Sequence, residues 1–354
     1  MNKNRLIKTF FDLVRLDSPS GEEEKVCSFI KERLASLNII SSVDKSGNLF
    51  AKTGGGLAEP VLLSAHMDTV EPGRCIKPFV KNEVIASRSR TILGADNKVA
   101  IAAILEAITT IPPDKRKTIE LVFSVSEETD GGIKNFNFSQ IESKFGIVAD
   151  SAYPIGTIIV ASPWIEDFEA EIIGRGSHAS SPEKAINALT IAANSISSLK
   201  WGKIDKETVA NIGIITGGYA TNTIPSQVVV KGEVRSFSKN CFEKTRLLIE
   251  SRFREKTEQL GGTLKFVHKF YCGGYKYRRN DSEIERIREI YKYLRIKPIY
   301  CVSYGGSDAN IFISNNIRLV NIGDGVEYPH TTDEKISIEN LVKLTEIIRN
   351  YISI

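Results

Sequence analysis

The stretch that most constrains this chain is Val61-Leu62-Leu63-Ser64-Ala65-His66-Met67-Asp68. A short apolar run bounded by polar residues fits a strand buried on both faces of a sheet. In an open α/β sheet, ligands sit outside the carboxyl ends of such strands. This run ends in a histidine and, two residues later, an aspartate. Side chains able to do chemistry therefore stand where such a sheet presents its crevice. A lone histidine there could simply cap the strand, so the rest of the chain must decide.

Read in order, the chain alternates helix and strand. An amphipathic helix is expected over residues 4–15. Asp17-Ser18-Pro19-Ser20-Gly21 breaks it, and Ser20 is placed to cap a second helix over 22–37. Residues 39–43 and 49–52 read as a strand pair around a Lys45-Ser46-Gly47-Asn48 turn. After the opening strand, Thr91-Ile92-Leu93-Gly94-Ala95-Asp96-Asn97 leads into a helical run over 98–108, with Asp96 where its charge suits the helix dipole. Residues 118–126 and 146–149 read as two further buried strands. The first runs into Glu127-Glu128 and the second into Asp150.

From about Pro163 the rhythm changes. Strands over 167–173, 209–215, 227–237 and 264–270 and helices over 181–199 and 240–260 give the order β-α-β-β-α-β, the split βαβ of ferredoxin-like domains. A helix over 281–294, a strand over 318–322 and a helix over 337–352 then resume the α/β pattern. The expected fold is α/β, with a mixed, largely parallel sheet flanked by helices over 1–162 and 272–354. An inserted ferredoxin-like α+β lid or dimerisation domain spans 163–271.

Composition narrows the partners. The net charge is +4 with a pI near 8.6, and no basic run is present, which speaks against nucleic acid. The five cysteines are scattered without a Cys-x-x-Cys, as suits reduced thiols in a cytoplasm. No stretch is long and apolar enough for a membrane span.

His66, Asp96, Glu127-Glu128 and Asp150 fall at strand ends or in the loops that follow, and His330 falls after the last buried strand, in Val326-Glu327-Tyr328-Pro329-His330. Each has a plain reading alone: a solvated pair for Glu127-Glu128, a turn for Asp150, an N-cap for Asp96, a surface loop for His330. Together they are imidazoles and carboxylates, the ligands that zinc, cobalt and manganese accept. Five such ligands could hold two ions if one carboxylate bridges. Asp68 suits a supporting role, accepting the second ring N–H of His66. Of the adjacent pair Glu127 and Glu128, one can be a ligand and the other a base.

In this order the motifs resemble the metallopeptidases that include glutamate carboxypeptidase, aminoacylase and peptidase T. They are Ser64-Ala65-His66-Met67-Asp68, Gly94-Ala95-Asp96-Asn97-Lys98, Ser126-Glu127-Glu128, Val148-Ala149-Asp150, Gly176-Ser177-His178-Ala179, Asn222-Thr223-Ile224-Pro225 and Pro329-His330. The likeness covers nearly the whole chain. Ile92-Leu93-Gly94-Ala95-Asp96 and Gly305-Gly306-Ser307-Asp308-Ala309 make it most similar to the peptidase T branch, whose members remove N-terminal residues from tripeptides.

The resemblance implies two zinc ions, with cobalt or manganese as substitutes. His66 and Asp150 would hold one, Glu128 and His330 the other, and Asp96 would bridge. Glu127 would be the general base and Asp68 would orient His66. His178 would reach the site of a neighbouring copy in a homodimer formed through the lid, as a donor where negative charge develops. Asn222 and Arg235 would contact a short peptide, Arg235 through its carboxylate, and Gly306 and Ser307 would line the pocket. Asn97 stands where many relatives carry a second aspartate after a bond that is often cis, and the near-isosteric amide should keep that geometry. The same scaffold would also serve an N-acyl amino acid deacylase or a carboxypeptidase. A metal-free binding protein fits less well, since every ligand position holds a competent residue.

Overall fold

A computed structural model describes residues 1–129 and 131–353. The chain divides into two compact units. The first comprises Met1–Val160, Tyr277–Ser303 and Ser307–Ile354, and the second Ala161–Lys276 with Tyr304–Gly306.

The first unit is built on a six-stranded sheet in the order Ser41–Val43, Leu49–Thr53, Lys117–Ser124, Leu57–His66, Phe145–Val148, Arg318–Asn321. The last four are mutually parallel, and the first two run antiparallel at one side. The apolar run of the opening motif lies at the centre, with Val61, Leu62 and Leu63 fully buried. Each such side chain contributes about 1.5–3 kcal/mol by leaving water. Gly146 on the neighbouring strand is obligatory, because a Cβ there would lie 2.5 Å from the Leu62 carbonyl oxygen.

The helix Ala95–Thr110 is buried almost all round, as its Ala- and Ile-rich sequence dictates. It packs with Lys3–Val14 and Ile338–Ser353. Asp96 and Asn97 depart from helical dihedrals in its first turn, and the bond between them is cis.

The second unit is a five-stranded antiparallel sheet in the order Gly202–Lys203, Thr208–Gly217, Gln227–Ser236, Trp164–Ile173, Thr263–Cys272. Its four long strands and two helices, Ala188–Ser197 and Lys239–Gln259, follow the β-α-β-β-α-β order. Phe168, Ala170, Ile172, Val228, Val230 and Val234 pack with Ile191, Phe242, Ile249 and Phe253 to form its core.

Two local expectations are corrected, and one element was not foreseen. Ser20 does not cap the second helix, which runs Glu24–Ala35; its hydroxyl donates instead to Asp68 Oδ2 at 2.7 Å. The helix expected over 181–199 is a short 3₁₀ turn, Pro182–Lys184, followed by Ala188–Ser197. Asn187 starts the latter by accepting from the amides of Leu189 and Thr190, which sets the boundary. A hairpin of Pro78–Lys81 and Val84–Ser87 has no counterpart in the sequence reading.

Candidate metal centre

The parallel strands deliver His66 and Asp150 side by side, because Leu57–His66 and Phe145–Val148 are hydrogen-bonded neighbours in register. His66 Nε2 lies 3.6 Å from Asp150 Oδ1 and 3.3 Å from Asp96 Oδ1. The other Asp96 oxygen, Oδ2, lies 3.4 Å from His330 Nε2, which is 2.9 Å from Glu128 Oε1. Asp96 thus turns one oxygen toward each imidazole, with Asp150 on the first side and Glu128 on the second. The carboxylate of Glu127 also comes within reach of the His66 and Asp150 ligand atoms. His66 is almost wholly buried, whereas His330 has a side chain 49% exposed.

Asp68 touches both His66 and the turn that carries Glu127 and Glu128. His66 Nδ1–H donates to the Asp68 carbonyl at 3.1 Å and lies 3.2 Å from its Oδ1. The same carboxylate accepts the backbone N–H of Glu127 on Oδ1 at 3.0 Å and that of Glu128 on Oδ2 at 3.1 Å. Glu23 supports the turn from the other side, accepting the amide of Ser126 at 3.0 Å. Asp150 is held by Asn321, which exchanges two hydrogen bonds with its backbone, and by Asn97, whose amide donates to Oδ1 at 3.2 Å.

The electrostatics are those of a carboxylate cluster short of positive charge. Burial, followed by repulsion from Asp150, pushes the Glu127 carboxyl well above the usual range. Burial also raises Glu128, against the pull of its hydrogen bond from His330. Burial opposes a charge on His66, yet hydrogen bonds to Asp150, Asp68 and Asp96 outweigh it and hold the imidazole well above its ordinary value. Hydrogen bonds to Asp96 and Glu128 raise His330 to about 10. Protonated imidazoles are thus favoured where cations would balance the surrounding carboxylates. Neutral imidazole plus carboxylate is a donor set that suits zinc, cobalt or manganese. The residues therefore fit a pair of divalent ions.

Of the remaining expected residues, Ser307 lies in the first unit, where its hydroxyl accepts from Asn321 at 3.2 Å. His178, Asn222, Arg235 and Gly306 belong to the second. There the segments that carry His178 and Asn222 meet in a short two-stranded antiparallel pairing, His178 opposite Thr223, with the Ala179 amide donating to the Asn222 carbonyl at 2.9 Å. The Arg235 guanidinium is engaged by Glu233 through Nε and Nη2, and by the Tyr304 carbonyl through Nη1.

Several buried acids were not anticipated as site residues, Asp308 and Asp324 among them. Asp308 accepts a short hydrogen bond from Ser124 and has its other oxygen unpartnered among the described residues. Burial, offset in part by that hydrogen bond, pushes it up to about 7. Asp324 accepts from the Val326 amide at 2.8 Å and is fully buried. Neither has a local sequence pattern that separates it from a surface acid. The only cue for Asp308 was its place in Gly305-Gly306-Ser307-Asp308-Ala309.

Residues 62–353 match the model of Peptidase family M20/M25/M40. The chain belongs to this family. It is accordingly a metallopeptidase. The uncharacterized protein YqjE of Bacillus subtilis is 34% identical to the peptidase, over 98% of this chain and 97% of its own. The structure of aminopeptidase PepT from Bacillus cereus is 33% identical, with a TM-score of 0.91 over 100% of this chain and 98% of that one. A Staphylococcus aureus tripeptidase is 32% identical, with a TM-score of 0.92 over the same shares. Among the described residues, no helix is long and apolar enough to cross a membrane.

Proposed function

We propose that this metallopeptidase is an aminotripeptidase that releases the N-terminal residue of tripeptides at a dinuclear zinc centre. The observation that carries the reading is Asp96, with Oδ1 beside His66 and Oδ2 beside His330. The full-length likeness to an aminopeptidase and a tripeptidase supports the substrate class.

His66 and Asp150 would hold one ion, Glu128 and His330 the other, and Asp96 both. Such a pair, when bound, supplies Lewis acidity for the scissile carbonyl and acidifies the attacking water. Glu127 takes a proton from that water on a carboxylate oxygen and passes it to the leaving amine. Burial raises its proton affinity, the direction that a general base working near neutral pH needs. Asp68 keeps Glu127 in place through the backbone and fixes the tautomer of His66.

Arg235 is a donor for the peptide carboxylate, which would take the place of Glu233 on its fork. Asn222, Gly306 and Ser307 complete the proposed peptide contacts. His178 is proposed as the oxyanion donor, supplied across a homodimer formed through the second unit. The five cysteines are all free thiols, as suits a cytoplasmic enzyme.

The test is hydrolysis of a tripeptide beside its N-acetylated form and a dipeptide, with zinc, cobalt and manganese tried separately. Cleavage of the free tripeptide with release of its first residue is expected. Cleavage of the blocked peptide alone would replace this reading with a deacylase, and release of the last residue would replace it with a carboxypeptidase.

A further inference from the structure

Glu334 is 1% exposed and belongs to none of the motifs that mark the site. It sits four residues past His330, in the turn before the Lys335–Ser337 strand. Both of its carboxylate oxygens are used. Oε2 accepts the amides of Leu93 and Gly94 at 2.7 Å each, and Oε1 accepts those of Ala95 and Asp96 at 2.8 and 3.0 Å. Four consecutive backbone N–H groups thus converge on one carboxylate.

The local sequence explains why they can. Gly94 adopts φ +67°, a left-handed conformation that glycine enters without steric cost. A left-handed residue beside helical ones turns successive amides inward into an anion-binding concavity. The first amides of a helix have no partner within it, and here the disturbed turn at Asp96 and Asn97 leaves them facing Glu334. The Lys98 ammonium, one turn further on, is buried nearby, and burial pushes it down to about 7 against the pull of Asp17 and Glu334.

The consequence concerns two side chains on either side of this clamp. Asp96 is held at its own amide by Glu334. His330 is carried by the segment that Glu334 anchors, which is otherwise well exposed at the imidazole. His330 Nε2 and Asp96 Oδ2 stand 3.4 Å apart. One carboxylate ties the 93–96 backbone to the 330–334 turn. His66 and Asp150, by contrast, are fixed by neighbouring strands of the sheet.

We propose that Glu334 is a positioning residue of the metal centre, which sets the affinity of the half formed by Asp96, Glu128 and His330. The proposal rests on the dinuclear reading above. Metal ligands are oriented by the groups that hold them, and loss of such a group typically weakens binding by about ten- to a hundredfold. In Glu334→Gln, one oxygen becomes an NH₂ that faces two amide donors, so half the clamp turns repulsive. Glu334→Asp keeps the charge and shortens the reach by one methylene.

The experiment is zinc titration into metal-free wild type, Glu334→Gln and Glu334→Asp, with thermal melting of each metal-free protein as the control for folding. Wild type is expected to take up two equivalents. Both variants should melt cooperatively and bind one equivalent only modestly more weakly, through the shared Asp96, with the second about ten- to a hundredfold weaker. Their tripeptide turnover should recover as zinc is raised.

Two wild-type-like equivalents in both variants would overturn the proposal while leaving the dinuclear reading intact. Equal weakening of both equivalents, or failure of both variants to fold, would make Glu334 a scaffold residue and also overturn it. Uptake of fewer than two equivalents by wild type would instead remove the dinuclear reading, and this proposal with it.

Discussion

The carboxylate of Asp68 accepts the backbone N–H of Glu127 at 3.0 Å, so the end of the central strand holds the candidate base by its main chain. The same side chain lies 3.2 Å from His66 Nδ1. In the proposed mechanism one residue would therefore serve both the metal and the proton-transfer side of the site. Asp68→Asn keeps the shape but presents an NH₂ toward one of these donors. We expect turnover to fall by about ten- to a hundredfold, with weaker zinc binding. Steady-state kinetics at saturating zinc, beside a zinc titration, check both. Loss of affinity with turnover fully restored by zinc would confine Asp68 to His66.

Glu127 gives the opposite pattern. Asp96, Glu128, Asp150 and both imidazoles remain in Glu127→Gln, and the amide cannot take a proton from water. Two zinc equivalents are expected by elemental analysis, together with a drop in kcat of about 10²–10⁴-fold and little change in KM. A variant that lost zinc along with activity would make Glu127 a ligand instead of a base.

Much of this geometry was legible in the sequence, and the reason is physical. Parallel strands buried on both faces read as apolar runs, so the places where they end, at His66 and Asp150, stand out. The ferredoxin-like order in the second unit was legible because its alternation and helical spacing are local. What could not be read depends on long-range partners. Ser20 has the composition of a helix cap, yet its hydroxyl goes to Asp68, forty-eight residues away in sequence. Asp308, Asp324 and Glu334 look like surface acids, because nothing in their neighbours says that Ser124, Ser151 or the 93–96 amides will meet them. The Pro78–Lys81 and Val84–Ser87 hairpin escaped because Lys77, Lys81 and Glu83 blur its alternation.

Metal removal should expose a pH dependence carried by His330. Its folded-state value is raised to about 10 by Asp96 and Glu128, whereas an unfolded histidine titrates near about 6.5. A raised value means that the folded state binds the proton more tightly. The stabilisation is complete below about 6.5 and is lost as pH rises toward 10. Metal-free wild type should therefore lose melting temperature between pH 7 and about 10, more steeply than metal-free His330→Asn, which lacks the titrating ring. Calorimetry on the two proteins gives the difference directly, and parallel curves would show that the imidazole is not paired as described.

Asp96 closes the argument, because its two oxygens face different imidazoles, His66 at 3.3 Å and His330 at 3.4 Å. Removing it should cost more than removing a ligand on one side. Asp96→Ala leaves His66 with Asp150, and His330 with Glu128, as two incomplete pairs with no shared anion between them. Both zinc equivalents should weaken together, whereas His330→Ala should spare the one beside His66 and Asp150. Elemental analysis after dialysis against dilute zinc distinguishes the two variants. If Asp96→Ala kept one full equivalent, the carboxylate would belong to a single ion, and the two halves of the site would be independent.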